Sequence, residues 1–262
     1  MKFNQQLPDD SVNITKSNPL LDMLKMLSVL VVFSFLFYTV IKYTMYYVVD
    51  NLPIEYEKKL TNLVTTDMGI ENLKKDDYLD ELTKKIGTCA KLPYDIQTYI
   101  IEEKNPNAFA LPGGSIYITQ GMLKSIKTQN ELVSIIGHEM GHFKHKDHLK
   151  SMGVKLLFSL LSLALGDGYG TILNTTLDVS NIKYSQLAEF EADQFSLDVI
   201  NCAYGTVSGA TNLFERMDDG KEWSYFLQTH PSFIKRVEKM KEHIIKMGYE
   251  SKTPLIPLKE KF

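Results

Sequence analysis

The stretch GHEMGHFKHKDH, residues 137–148, places four histidines and two acidic residues in twelve positions. Just upstream, Thr128-Gln129-Asn130-Glu131 has the T-x-x-E pattern of a helix capping box, and the apolar run from Leu132 to Ile136 follows at once. A helix therefore begins near residue 129 and carries the stretch. On a helix, residues four apart stack on one face, so His138 and His142 can offer both imidazoles to one cation. Glu139 lies beside that face, where its carboxylate can take a proton from a water. The pattern is an H-E-x-x-H, and the apolar residues before it argue for a buried helix rather than a solvated one.

A catalytic zinc needs a third protein donor and an open position. His148 lies ten residues after His138, the spacing of the longer H-E-x-x-H-x-x-G-x-x-H pattern. That pattern needs a helix-breaking glycine where this chain has His145. HFKHKDHLK holds no breaker, so an unbroken helix is expected, on which His148 turns about 240° away from His142. His145 and His148 are accordingly read as not binding. The other candidate is YSQLAEFEADQFSLD, 184–198, in a helix expected over 182–200. Glu189 and Asp193 share a face there. Ala192 beside them is small enough to let this helix pack closely on the first. Glu189 would supply the carboxylate ligand, and Asp193 would accept the spare ring N–H of a ligating histidine, fixing its tautomer. The alternative for this segment by itself is a solvated acidic face, which is how Glu191 reads.

Around these motifs the 262 residues divide into three parts. Residues 1–25 form a polar tail. Residues 26–49, MLSVLVVFSFLFYTVIKYTMYYVV, are apolar apart from Lys42 and long enough to cross a membrane. Tyr38, Tyr43, Tyr46 and Tyr47 gather where an aromatic belt would meet the headgroups. The run is too long, starts too late and ends without the small-residue site that a cleaved signal peptide requires. Residues 50–262 are expected to form one domain. A second apolar stretch, 156–166, is too short to span and is expected as a buried or interfacial helix.

Within the domain, helical spacing covers 72–87 and 232–247, a strand is expected within 94–103, and two short strands flank Pro112-Gly113-Gly114 in 107–119. The fold class is α+β, mainly helical, with a small sheet and one N-terminal transmembrane helix. The net charge of -3 and pI near 6.1 leave no basic stripe, which excludes nucleic acid as a partner. Only two arginines, Arg216 and Arg236, stand among 29 basic residues, so each marks a place where a forked guanidinium replaces the default lysine. Cys89 and Cys202 lack CxxC spacing; either one bridge or two buried thiols fits.

Four motifs in order, NAFALPGGSIYITQG at 107–121, H-E-x-G-H, S-x-x-x-E-x-E-A-D at 185–193 and THPSFIKR at 229–236, resemble those of a family of membrane-associated zinc metallopeptidases. That family includes the CAAX prenyl protease and the HtpX-, BepA- and Oma-type enzymes. The resemblance runs from about residue 70 to 247. It implies a zincin-like metalloprotease domain with one Zn2+ per chain on His138, His142 and Glu189, Glu139 as general base, and Asp193 behind a ligand histidine. It also implies that Asn107, Ala108, Phe109, Ala110 and Leu111 form a cleft-edge strand on which a substrate chain pairs. His230 and Arg236 would stand at the site. His230 would donate to the oxyanion or fill the open metal position, and Arg236 would brace Glu189 or the oxyanion. The expected protein is a single-pass metalloendopeptidase that cuts unfolded or misassembled proteins, in a bacterial inner membrane with its catalytic domain in the periplasm. A latent zinc-binding chaperone is the alternative, and the oligomeric state is left open.

Overall fold

A computed structural model describes residues 18–67, 73–153, 184–217, 223–230 and 233–259, so the expected helix at 156–166 and most of the polar tail lie outside the described residues. The chain divides into two compact units, the second beginning at Tyr47. The first is dominated by α1 (Pro19–Asp50), 32 residues and long and apolar enough to cross a membrane. Most of its apolar side chains face outward, with Val29, Phe33 and Phe37 all more than half exposed, while Met45 and Val49 near its C-terminal end are buried. A helix that is apolar all round needs a non-aqueous surrounding. It starts seven residues before the apolar run because Asn18 caps it. The Asn18 Oδ1 accepts from the backbone N–H of Leu20 at 3.1 Å, and Pro19 sits in the first helical position, where no N–H is needed.

The second unit combines a three-stranded sheet with the remaining helices. Strands β1 (Gln97–Ile101), β2 (Ala108–Leu111) and β3 (Ser115–Thr119) lie in the order β1-β3-β2, with β1 parallel and β2 antiparallel to β3. The β2–β3 turn uses Gly113 at φ 83° and Gly114 at φ 100°, backbone that side-chain-bearing residues rarely adopt. Helix α2 (Ile54–Asp67) follows α1, and the amphipathic α3 (Asp77–Ala90) buries Leu79, Leu82 and Ile86 in the core. After the sheet come α4 (Gln120–Ser125), α5 (Gln129–His145) and α6 (Asp147–Met152). The last four helices are α7 (Gln186–Tyr204), α8 (Asn212–Arg216), α9 (Ser224–Thr229) and α10 (Phe233–Met247).

The start of α5 departs from a reciprocal capping box. Thr128 accepts from the Glu131 N–H at 3.3 Å, but the Glu131 carboxylate takes the Lys127 N–H instead and forms a two-pronged pair with Arg216 at 2.6 and 2.8 Å. One of the two arginines is thus spent on locking α8 to the N-terminus of α5.

Helices α5 and α7 meet at backbone distance. A Cβ on Gly141 would stand 2.6 Å from the Ala192 Cα, and one on Gly137 would stand 2.8 Å from the Ser196 Oγ. Ser196 in turn donates to the Ser134 carbonyl at 2.9 Å. Because the first of these contacts is with backbone, no rotamer change relieves it. Gly141→Ala should therefore cost about 1–3 kcal/mol through overpacking, visible as a lower Tm; an unchanged Tm would show that the helices can separate freely.

One open question is decided here and one expectation is corrected. Cys89 on α3 and Cys202 on α7 form a disulfide across a 113-residue separation. The unbroken helix through residue 148 does not form. Helix α5 ends at His145, Lys146 takes the left-handed conformation at φ 53° and ψ 34°, and α6 starts at Asp147. The sequence holds no breaker at this corner, where the Lys146 side chain meets Glu57 and the backbone carbonyls of Val49, Asp50 and Leu52. His148 is buried and faces Glu57 at 3.9 Å, while half-exposed His145 lies 3.9 Å from Glu191.

Candidate active site

Helix α5 carries His138 and His142 one turn apart, α7 carries Glu189 and Asp193 one turn apart, and the close approach at Gly141 and Ala192 brings the two faces together. His230, at the C-terminal end of α9, completes a cluster of four potential donors, all buried. The His142 Nε2 is 3.2 Å from the His138 Nε2, which is 3.3 Å from the His230 Nδ1. The Glu189 Oε1 lies 3.0 Å from the His230 Nδ1 and 3.5 Å from the His142 Nε2. Donors about 2.0–2.1 Å from a tetrahedral zinc would stand about 3.3–3.4 Å apart, so spacing and chemistry both suit that ion.

Each α5 histidine is held by a carboxylate on its other nitrogen. The His138 Nδ1 is 2.9 Å from the Asp193 Oδ1, and the His142 Nδ1 is 3.0 Å from the Asp147 Oδ2. An ionised carboxylate only accepts, so both Nδ1 atoms carry a proton and the Nε2 atoms face the cluster. Arg236 on α10, also fully buried, donates through Nε and Nη2 to Asp193 at 2.8 and 2.7 Å and places Nη1 2.5 Å from the Glu189 Oε2. It braces two carboxylates.

The electrostatics follow from this burial. Desolvation raises the Glu189 and Asp193 carboxyls, but Arg236 outweighs it, with His230 helping at Glu189 and His138 at Asp193, so both stay below the usual carboxylate range. Burial and the Arg236 cation push His138 down. For His142 burial acts the same way, yet hydrogen bonds to Asp147 and Glu189 prevail and raise it to about 9.

Glu139 is the exception among these groups. It is fully buried, and neither carboxylate oxygen has a hydrogen-bond partner among the described residues. The His230 Nε2 lies 3.9 Å from its Oε1. Native structures seldom leave a buried carboxylate unsatisfied, so such a group calls for a missing partner.

The remaining expected residues fall at the sheet. Ala108, Phe109, Ala110 and Leu111 form β2, which Asn107 prolongs by accepting from the Thr119 N–H at 2.9 Å. β2 is an edge strand, and among the described residues no strand pairs with its other side. Sequence reasoning missed two residues at the cluster. Asp147 lies five residues past His142, on the wrong side of any continuous helix, so no spacing rule finds it. Tyr184 lies flat on the His142 ring, with centroids 3.8 Å apart, and nothing in the sequence marks it.

Comparison with known proteins finds proteolytic relatives. The chain is 30% identical over 155 residues to the mitochondrial metalloendopeptidase OMA1 of Schizosaccharomyces pombe, covering 56% of this chain and 46% of that protein. It is 27% identical over 183 residues to the metalloprotease LoiP of Escherichia coli, covering 63% and 71%. It is 36% identical over 77 residues to a protease HtpX homolog of Thermodesulfovibrio yellowstonii, covering 28% and 27%. The chain thus spans about half the length of the fission-yeast relative. The pattern of peptidase family M48 matches residues 73–244, from α3 to α10 and across every donor of the cluster, and this chain belongs to that family.

Proposed function

We propose that this protein is a membrane-anchored zinc metalloendopeptidase, with His138, His142 and Glu189 as the metal ligands and Glu139 as the general base. The observation that carries the reading is the unpartnered, buried Glu139 carboxylate beside a four-donor cluster of tetrahedral spacing. A bound zinc would supply Lewis acidity to the scissile carbonyl and lower the pKa of a water towards ~7. Glu139 takes the proton of that attacking water and passes it to the leaving amine. Asp193 and Asp147 keep the two imidazoles in the binding tautomer, and Arg236 holds Glu189 in place. The free edge of β2 suits a substrate in extended form, which main-chain hydrogen bonds would hold without regard to sequence. Unfolded or misassembled proteins are substrates of that kind.

The apolar α1 supports a single-pass anchor, and the Cys89–Cys202 bridge supports a catalytic domain on an oxidising side such as the periplasm. Purified full-length chain in detergent should contain about one zinc and cleave casein. Chelation by 1,10-phenanthroline should stop cleavage and added zinc restore it. A protein that binds no zinc, or one that cleaves equally well without it, would sink the reading.

His230 favours a second state of the same site. Structural zinc sites are closed by four protein ligands, whereas catalytic ones keep a position open. With His230 as fourth donor the centre is closed and latent. His230→Ala should keep the zinc and raise casein cleavage several-fold. If zinc is present and neither form cleaves anything, the chain is a substrate-holding chaperone instead.

A further inference from the structure

Outside the donor cluster a further buried knot of charge centres on Glu57. Glu57 of α2 is fully buried and lies 3.2 Å from the Lys146 Nζ. It also accepts from the Tyr94 hydroxyl and the Gly113 N–H, both at 3.2 Å, and faces His148 at 3.9 Å. The Lys146 ammonium donates as well to the carbonyls of Val49 and Leu52, at 3.0 and 3.2 Å, where the chain leaves α1 and before it enters α2. Lys146 is the residue at the left-handed corner between α5 and α6.

That corner has a consequence for the site. Had α5 continued, Asp147 would lie five residues beyond His142, about 140° round the helix and out of reach. The left-handed step brings its carboxylate to 3.0 Å from the His142 Nδ1. For a side-chain-bearing residue this step is unfavourable by about 1–2 kcal/mol, and glycine is the residue that usually makes it. A lysine stands here because its side chain reaches fixed acceptors. We propose that Lys146 is a positioning residue for the metal centre: its ammonium, pinned by Glu57 and the Val49 and Leu52 carbonyls, fixes the corner that sets Asp147 against His142. Glu57 belongs to the same device. Through the Gly113 N–H it also holds the turn at the end of β2, so the segment after the apolar helix steadies both the ligand histidine and the edge strand.

The inference rests on the zinc reading, and its test separates the two. Zinc affinity of the full-length protein in detergent is measured by competition with a chromogenic chelator. Loss of a carboxylate behind a ligand histidine weakens metal binding about 10–100-fold, so Asp147→Asn should fall in that range. Lys146→Met should match it, Lys146→Arg should restore most of the affinity, and Lys146→Met added to Asp147→Asn should cause no further loss. If Lys146→Met leaves zinc affinity unchanged and only lowers Tm, or if its effect adds in full to that of Asp147→Asn, the proposal is overturned. Should Lys146→Met fail to fold, Glu57→Gln is the second variant. It keeps neutral partners for Tyr94 and Gly113, removes the charge that holds Lys146, and should weaken zinc binding in the same direction; unchanged affinity counts against the device. If wild type takes up no zinc, the function proposed above fails alone. The corner is then tested metal-free, by whether Lys146→Met speeds amide exchange across residues 142–152 while exchange in α3 stays as it was.

Discussion

Glu139→Gln will reduce peptide hydrolysis by about 10²–10⁴-fold in kcat/KM and leave the bound zinc in place. The substitution conserves shape, so the buried pocket stays filled, but an amide cannot accept the proton of the attacking water. Glu139 is outside the four-donor cluster, and its oxygens have no hydrogen-bond partner among the described residues; its removal therefore breaks no hydrogen bond seen there. The amide replaces a buried carboxyl group that has no hydrogen-bond partner among the described residues, so the Tm of the variant should stay close to that of wild type. Metal analysis, casein hydrolysis and a thermal melt on one preparation decide the matter. Activity retained within threefold would remove Glu139 from the chemistry, and loss of zinc together with activity would make it a structural residue.

The second large effect is expected from the Cys89–Cys202 bridge. It closes a loop across 113 residues and ties α3 to α7, the helix that carries Glu189 and Asp193. In the chain-entropy view, a loop of this length is worth about 4–5 kcal/mol of unfolded-state restriction. For a domain of this size that is a fall in Tm of roughly 10 °C or more on reduction. Melting the full-length protein with and without dithiothreitol, alongside a thiol titration, reads this directly. Two titratable thiols with an unchanged Tm would show that the bridge contributes nothing to stability. The same melt bears on location, because a domain that needs its disulfide must fold where thiols are oxidised.

Much of the donor cluster was legible because it obeys local periodicity. His138 with His142, and Glu189 with Asp193, are pairs four residues apart, and helix geometry alone puts each pair on one face. The alternating strands around Pro112-Gly113-Gly114 and the amphipathic spacing of α3 are local in the same sense, and they fold as the spacing requires. Helix α1 starts seven residues before the apolar run, at the Asn18-Pro19 pair, because a cap and not hydropathy sets its N-terminus.

The corner at Lys146 shows where that kind of reading stops. Every residue from His142 to Lys150 tolerates a helix, so the sequence reads as continuous, and Asp147 then falls on the wrong side. At the turn the Lys146 ammonium meets Glu57 and three backbone carbonyls some 90 residues earlier, contacts that no local rule foresees. Glu131 behaves likewise. Its local partner would be the Thr128 N–H, but Arg216 and the Lys127 N–H claim its carboxylate. The sequence by itself determined which residues offer nitrogen and oxygen donors, on which helical faces, and that an apolar helix leads the chain. The tertiary structure decided that Cys89 and Cys202 meet, that Asp147 and Tyr184 lie against the site, and that His230 stands beside His138, His142 and Glu189. The reason is that these depend on contacts between residues far apart in the chain, where the energy of a buried ion pair or a shared packing surface exceeds the small local preference for continuing a helix.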